Sequence, residues 1–315
     1  MQKATPYILG FALILLALIF VFVGSGFDFN YVIPKRLIRL VTIILGGICV
    51  AISSIIFQTL VSNRILTPAI MGYEAVYLLW QALLLLIGGT YGLVLLGSNG
   101  NFMISLILML LYSWLIQRYL LSKDGRDVYL LLLFGLVFSI VIGTLTQFVQ
   151  LRISPGEFSV FQGLSYASFN RASPEILIYS CIAVCIVLIM GLRNIALLDV
   201  LALGREQSIS LGIDHAHYLK FYLALIAILV AVSTSLIGPT AFMGVFIANM
   251  TYALVKTQKH RITLAVGCGL AIIVFLIAQI LVEHFFNYKT TVSILVNLVC
   301  GIYFLTLMVR TRGVA

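Results

Sequence analysis

Three groups of residues in this sequence have side-chain types and spacings that could carry function. The first is a compact basic cluster of Lys35, Arg36 and Arg39 at the start of an apolar run. Cations spaced in this way can receive the acidic surface of a partner protein. Contact with lipid headgroups at the start of a membrane helix explains the cluster equally well.

The second group lies in a polar connection that runs from Arg193 to Lys220. Asp199 is expected to cap one short helix in this connection, and Gly212 is expected to end another. The apolar residues that fall outside every predicted span here are Leu203, Leu211 and Ile213. A surface helix that carries such residues needs either a protein partner or the membrane surface to cover them.

The third group is the stretch from Gly238 to Gly244, which includes Pro239 and Phe242. Pro239 lacks a backbone donor and Gly238 loosens the turn, so the stretch predicts an interruption of a helix. A broken helix at membrane depth is tolerated where it lines a cavity or packs within protein. A simple kink in one continuous helix is the alternative.

Motifs that would give the chain bond-making chemistry of its own are absent from the sequence. There is no P-loop motif, so we expect no ATP site and no cofactor in this chain. Glu74 and Glu283 fall near helix ends, so the centres of the predicted spans lack carboxylates that could relay protons. The five cysteines lie in apolar runs, which predicts no metal site. The sequence therefore indicates a passage that draws its energy from elsewhere.

The composition places these groups on helices embedded in lipid. Of the 315 residues, 62% are hydrophobic and only 9% are charged, whereas soluble domains carry about 25% charged residues. This composition excludes a soluble enzyme, a nucleic-acid-binding domain and a disulfide-bonded secreted scaffold. We assign the net charge of +9 to Lys and Arg side chains at helix ends, where they orient the spans.

Charge-free runs of sequence predict ten membrane helices, since a span needs about 20 apolar residues. The run 75–117 is interrupted by glycines and is expected to form two helices, and the run 221–255 is expected to divide at Gly238-Pro239. We therefore expect an all-α integral membrane protein in which residues 1–315 form a single transmembrane domain. The distribution of Lys and Arg between the loops predicts that both termini face the cytoplasm.

Taken in order, the motifs resemble the permease subunits of the bacterial ABC transporters that import iron-siderophore complexes, haem and cobalamin. The strongest matches are Leu203-Gly204, Glu206, Ser210 to Asp214, Gly238-Pro239, Phe242 and Gly244. Supporting matches are Arg36-Leu37, Arg39, Gln58, Asn63, Leu66, Pro68 and Gly72. The resemblance implies a type II ABC importer permease with ten transmembrane helices in the bacterial inner membrane.

The resemblance also implies roles for the three groups. Arg36 and Arg39, with Lys35 beside them, would receive acidic residues of a periplasmic or lipoprotein substrate-binding protein. The stretch from Leu203 to Asp214 would be the loop that couples the permease to its ATPase subunits. Its contact residues would be Leu203, Gly204, Arg205, Glu206, Ser210, Leu211, Gly212 and Asp214. Gly238, Pro239, Phe242 and Gly244 would form a broken helix along the transport path.

The function that the resemblance implies is uptake of a ferric siderophore, powered by ATP that separate ATPase subunits hydrolyse. Cobalamin or haem import is the alternative within the family, and an ion-coupled secondary transporter is the alternative from another class. Glu283 stands where some family members carry an outward arginine, with Lys289 close by. This departure predicts an asymmetric docking surface and favours pairing with a second, related permease over a homodimer.

Overall fold

A computed structural model of the protein describes residues 5–24, 26–120, 128–240, 242–255, 257 and 259–312. This part of the chain contains helices and no strand. The helices in chain order are α1 (Thr5–Phe22), α2 (Val32–Val61), α3 (Tyr73–Leu120), α4 (Val128–Gln150), α5 (Pro155–Ser165), α6 (Pro174–Arg193), α7 (Ile195–Leu201), α8 (Arg205–Ser210), α9 (His215–Ile237), α10 (Met243–Leu254), α11 (His260–Ile280) and α12 (Val292–Arg312). The all-α class of the prediction is confirmed.

Among the described residues, six helices are long and apolar enough to cross a membrane, and three more apolar helices are shorter. One of the six, α3, holds 48 residues and leaves helical geometry at Gly89 and Gly97. When α3 is counted as two helices, one on each side of the stretch from Gly89 to Gly97, the described part of the chain contains ten apolar helices, in agreement with the predicted count. The terminal residues 1–4 and 313–315 lie outside the described residues, so the orientation of the termini stays a prediction.

Helices α2 and α9 form the centre of the bundle. In the most apolar stretch of each helix, 78% of the α2 residues and 72% of the α9 residues are buried, whereas the share is 22% for α4 and 28% for α6. The outer helices therefore present apolar side chains such as Leu133, Val141 and Phe148 at the surface. Lipid or a second membrane subunit can cover such a surface without the cost that water would impose.

Helical geometry is interrupted between α2 and α3. Ser62 has left-handed backbone geometry with φ 53°, and a 3-10 turn at Pro68–Met71 leads to the start of α3. The hydroxyl of Tyr112 donates a hydrogen bond to the carbonyl oxygen of Met71 at 2.8 Å, which holds the turn against the second half of α3. Asn63 and Pro68, two of the supporting matches of the resemblance, both lie in this break.

Candidate functional site

The basic cluster occupies the first two turns of α2, and its three cations have different surroundings. Lys35 is exposed, and its ammonium group donates a hydrogen bond to the phenol oxygen of Tyr31. That hydrogen bond, together with the positive charge of Lys35, lowers the pKa of Tyr31 below its ordinary value. Lys35 is therefore positioned at the surface, where a partner can reach it.

Arg36 points into the protein, where it binds the end of α1. Its guanidinium donates to the carbonyl oxygens of Phe20 at 3.1 Å and Val21 at 3.3 Å, and to the carboxylate of Glu283 at 2.7 Å. The side chains of Arg36 and Glu283 are only 6% and 12% exposed. The last carbonyls of a helix lack partners within the helix, and Arg36 supplies one here.

These contacts correct the predicted outward role of Arg36. A guanidinium whose donors are taken by helix carbonyls and a carboxylate does not present a free cation to another protein. Within the cluster, Lys35 and Arg39 are the side chains positioned to meet a partner. Arg39 is 25% exposed, lies 3.7 Å from the Glu283 carboxylate and donates to the phenol oxygen of Tyr288 at 3.1 Å.

Glu283 lies in a π-helical turn, Leu281–Phe285, that follows α11, and from there its carboxylate reaches both arginines. A π-helical turn inserts an extra residue into the helical register and is found often at functional sites. Burial raises the pKa of the neighbouring Tyr288, and the positive charge of Arg39 opposes that rise. Where the family resemblance leads one to expect an outward arginine, this chain has the carboxylate that neutralises Arg36.

The connection between α6 and α9 folds into two short helices, α7 and α8, joined at Gly204. The backbone of Gly204 has φ 96° and ψ 171°, a region that only glycine occupies readily. Helix α8 ends with two hydrogen bonds, from the Gly212 N–H to the Ile209 carbonyl at 2.9 Å and from the Ile213 N–H to the Ser208 carbonyl at 3.1 Å. The helix end predicted at Gly212 is confirmed.

Asp214 and Asp199 both act as helix caps, but only one caps a helix in the predicted connection. The Asp214 carboxylate accepts the backbone N–H of His217 at 3.1 Å and caps α9. Asp199 was expected to cap a short helix of its own connection. It lies inside α7, and its carboxylate accepts the backbone N–H of His260 at 2.8 Å, at the start of α11. The expectation is therefore wrong about which helix Asp199 caps, because Asp199 caps α11 and not a short helix of its own connection.

The segment from Leu203 to Asp214, which we call the coupling segment, exposes a mixed apolar and polar surface. Leu203, Ile209 and Leu211 are 50%, 48% and 62% exposed, and Glu206 is also exposed. Ser208 faces inward instead, with its hydroxyl 2.9 Å from the His215 ring. The exposed leucines agree with the sequence-based expectation of apolar residues in need of a partner.

The remaining residues of the coupling segment refine that expectation. Ile213 is half-buried, and Ile209 takes its place on the exposed surface. The missed signal was the helical period, because Ile209 lies within the predicted short helix that Gly212 ends. Arg205 is half-buried, and the exposed Ser210 donates its hydroxyl hydrogen to the Glu206 carbonyl at 2.9 Å.

The third group forms a true break between α9 and α10. Gly238 follows α9 with φ 96° and ψ −177°, and Gly238 and Pro239 are buried. The backbone N–H of Thr240 donates to the carboxylate of Glu74 at 2.8 Å, in the first turn of α3. A carboxylate at the start of a helix is favoured by the helix dipole, so Glu74 joins the break to α3 at little electrostatic cost.

Most of the break is packed inside this subunit. Gly244 packs so closely on α2 that a Cβ atom there would overlap the hydroxyl of Ser54, and of the four predicted path residues only Phe242 is exposed, at 66%. The cavity beside Ser54 and Glu74 measures about 20 Å³, which is room for about one water molecule. Gly238, Pro239 and Gly244 therefore shape the contacts between helices within this subunit, and their place along a transport path stays a prediction.

Replacing Gly238 by alanine is expected to destabilise the protein by about 1–3 kcal/mol from backbone strain. A Cβ atom at this position would also lie 3.0 Å from the carbonyl oxygen of Tyr166, too close for an ordinary contact. Thermal unfolding of the detergent-solubilised protein measures the loss. Gly143→Ala is the matched control, because no atom lies within 4 Å of a Cβ built there. Equal unfolding temperatures for the two variants would contradict this reading of the break.

The described residues contain no group of three or more His, Cys, Asp or Glu side chains that could hold a metal ion. Cys181 and Cys185 are exposed on α6, and Cys49 and Cys300 are buried.

The two contact surfaces lie at opposite ends of the bundle. Lys35 stands near the start of α2, and Thr59 near its end lies 2.9 Å from the ring of His260, which itself contacts Asp199 of α7. Along α2, Lys35 and Thr59 are about 36 Å apart at 1.5 Å per residue. This separation exceeds the hydrocarbon thickness of about 30 Å, so the basic cluster and the coupling segment can lie on opposite faces of a membrane.

Comparison with known proteins shows the family of the chain. The model of the FecCD transport family matches residues 7–310. The chain is 36% identical over 309 residues to the petrobactin import system permease protein YclO of Bacillus subtilis, covering 98% of each chain. It is 29% identical to the petrobactin import system permease protein FatC of Bacillus anthracis, over 91% of this chain and 81% of that one.

The fold is also similar to a solved structure. A protein described as a metal-chelate type ABC transporter in an inward-facing conformation superposes with a TM-score of 0.85 at 19% sequence identity. The match covers 97% of this chain and 98% of the other. At this identity the comparison establishes the shared fold alone.

Proposed function

Because the chain belongs to the FecCD transport family, we propose that it is the permease through which a bacterial ABC importer takes up a ferric siderophore. The observation that carries the choice of cargo is the 36% identity, over 98% of both chains, with a permease named for petrobactin import. A second permease named for petrobactin import matches over 91% of this chain. Cobalamin and haem are the alternative cargoes within the family.

The permease moves its cargo without making or breaking bonds, so its work is a change between conformations. ATP is bound and hydrolysed by separate ATPase subunits that contact the coupling segment. When the ATPase subunits close on ATP, they displace this segment, and the helices attached to it rock between outward-open and inward-open states. Energy enters the permease only through the difference between the two states in how well they bind the ATPases.

A substrate-binding protein docks on the end of the bundle opposite the coupling segment. Lys35 and Arg39 supply the cations for acidic residues of that protein. The buried Arg36 stabilises this surface through its ion pair with Glu283. Long-range attraction between such charges raises the rate of docking more than its final affinity. We assign this end to the periplasmic or extracellular side and both chain termini to the cytoplasm.

A second permease completes the transport path. The exposed apolar face of α4, with Leu133, Val141 and Phe148, is available for this partner or for lipid. Glu283 neutralises Arg36 of this subunit, so a partner with a different charge pattern would give the docking protein an asymmetric surface. We therefore favour a heterodimer of related permeases, in which residues 1–315 contribute one membrane domain.

Reconstitution in lipid vesicles tests this function. Vesicles that contain this chain, a related second permease and the ATPase subunits are expected to accumulate radiolabelled ferric siderophore when ATP and the substrate-binding protein are both present. Parallel assays with haem and cobalamin identify the cargo, and accumulation of either in place of the siderophore would overturn the choice. Uphill uptake by this chain without an ATPase would overturn the permease assignment. A fully active complex without the second permease would overturn the heterodimer.

A further inference from the structure

Three polar side chains from three separate helices meet beside the coupling segment. They are Thr59 of α2, Asp199 of α7 and His260 of α11, and we call them the relay. The Asp199 carboxylate lies 2.6 Å from the ring Nδ1 of His260, and the ring Nε2 lies 2.9 Å from the hydroxyl oxygen of Thr59. These residues are far apart in the sequence, so only the fold brings them together.

The Asp199 carboxylate makes two bonds to the first residue of α11. The same oxygen, Oδ1, accepts the backbone N–H of His260 at 2.8 Å and contacts the ring at 2.6 Å. The residue before His260 offers no side-chain cap to α11, so the cap comes from α7. A carboxylate at a helix start is stabilised by the helix dipole, which makes this attachment stronger than a neutral hydrogen bond.

The Thr59 end of the relay can adjust without breaking. Its hydroxyl also lies 2.9 Å from the carbonyl oxygen of Ile55 and can donate its single hydrogen there. When both ring nitrogens of His260 carry hydrogens, the ring donates to Thr59 and the hydroxyl donates to Ile55. When Nε2 lacks a hydrogen, the hydroxyl donates to the ring instead. The three helices stay joined in both cases.

The relay joins the coupling segment to the membrane helices through a firmly held helix. Helix α7 ends two residues before the coupling segment begins, and its Leu198 and Leu201 are 1% and 2% exposed. The carbonyl oxygen of Asn194, just before α7, accepts the hydroxyl of Tyr222 at 2.7 Å. Helix α7, which adjoins the coupling segment, is therefore held firmly against its neighbouring helices.

Space beside the relay leaves room for such a displacement. A cavity of about 440 Å³ borders Thr59, His260 and Ala202, the residue between α7 and the coupling segment. Gln58 also lines it, and the side-chain oxygen of this buried residue has no hydrogen-bond partner within the described residues. Close-packed side chains would resist movement at this place, whereas a polar cavity does not.

We propose that Asp199 is a positioning residue that transmits movement of the coupling segment to α2 and α11 through His260 and Thr59. The proposal rests on the proposed contact between the coupling segment and the ATPase subunits. A purely stabilising cap would hold α11 in place equally in every conformation. A transmitting contact makes uptake per ATP hydrolysed depend on the bonds within the relay.

The test is the coupling ratio, cargo taken up per ATP hydrolysed, in vesicles that contain the complete transporter. Asp199→Asn keeps the shape of the side chain and removes its charge, so the ATPase subunits are expected to co-purify as in the parent. The coupling ratio is expected to fall by about three- to tenfold, the size usual for residues that couple two sites. Thr59→Val removes the other end of the relay, and the double variant is expected to lose no more than the larger single loss.

Control variants distinguish a loss of transmission through the relay from a loss of protein stability and from a loss of ATPase binding. Glu157→Gln removes the charge of another capping carboxylate, remote from the coupling segment, and is expected to leave the ratio within about twofold. The proposal is overturned if Asp199→Asn and Thr59→Val both keep the parent ratio, or if they lower uptake only in proportion to lost ATPase subunits. Binding of the coupling segment to the ATPase subunits is measured separately, with Leu203→Asp combined with Leu211→Asp.

Discussion

Glu283→Ala is expected to lower the free energy of unfolding of this permease by about 3–5 kcal/mol, the usual cost of leaving one partner of a buried ion pair without the other. Arg36 is 6% exposed on its side chain and lies 2.7 Å from Glu283. Without the carboxylate, the guanidinium keeps its bonds to the end of α1 but remains charged in a buried site. Chemical or thermal unfolding of the purified protein in detergent measures the loss.

Two further variants test whether the unpaired, buried charge of Arg36 causes the loss of stability in Glu283→Ala. Glu175→Ala removes an exposed carboxylate in the first turn of α6 and is expected to cost less than about 1 kcal/mol. Arg36→Met combined with Glu283→Leu removes both charges and is expected to recover most of the lost stability, because apolar residues can replace a buried pair. Equal losses for Glu283→Ala and Glu175→Ala would contradict the structural role given to the pair.

This result bears on how the basic cluster can be tested for docking. A variant that reverses the charge of Arg36 would place two carboxylates side by side in a buried site and would unfold the end of the bundle. Loss of uptake in such a variant would therefore say nothing about docking. Lys35 and Arg39 are the residues whose substitution probes the surface, because Lys35 is exposed and Arg39 is 25% exposed.

The sequence was sufficient to predict the helices because the membrane imposes simple local rules. Charges are costly in lipid, so charge-free runs mark the spans, and glycine or proline marks the interruptions. The breaks in α3 at Gly89 and Gly97, and between α9 and α10 at Gly238-Pro239, follow from these rules. The end of α8 at Gly212 was equally accessible, because a helix end is a local feature.

Pairings between distant residues could not be read from the sequence in the same way. Arg36 and Glu283 are 247 positions apart, and Asp199 and His260 are 61 positions apart. Local pattern predicts that Arg36 starts a helix and that Asp199 caps one, but it does not say which helix end each will meet. That choice depends on how the bundle packs, which is why the outward role of Arg36 and the capping target of Asp199 needed correction.

The coupling segment is the surface on which the proposed mechanism depends, and Leu203→Asp with Leu211→Asp is the second variant of large expected effect. The two leucines are 50% and 62% exposed in this chain, and burying a leucine side chain fully is worth about 1.5–3 kcal/mol. Each substitution also forces a carboxylate to lose its water at the contact. Because roughly half of each leucine is free to be buried, we expect the affinity for the ATPase subunits to fall by about 100-fold, or roughly 3 kcal/mol.

Co-purification of the ATPase subunits, followed by titration of the purified partners, measures this loss. Leu151→Asp is the matched control, because Leu151 is 83% exposed just after α4 and outside the coupling segment. It is expected to leave the affinity within about twofold, since surface substitutions away from a contact have small effects. If the double variant retained its ATPase subunits at the parent affinity, energy would have to enter the permease elsewhere. The relay of Asp199, His260 and Thr59 would then have no movement to transmit.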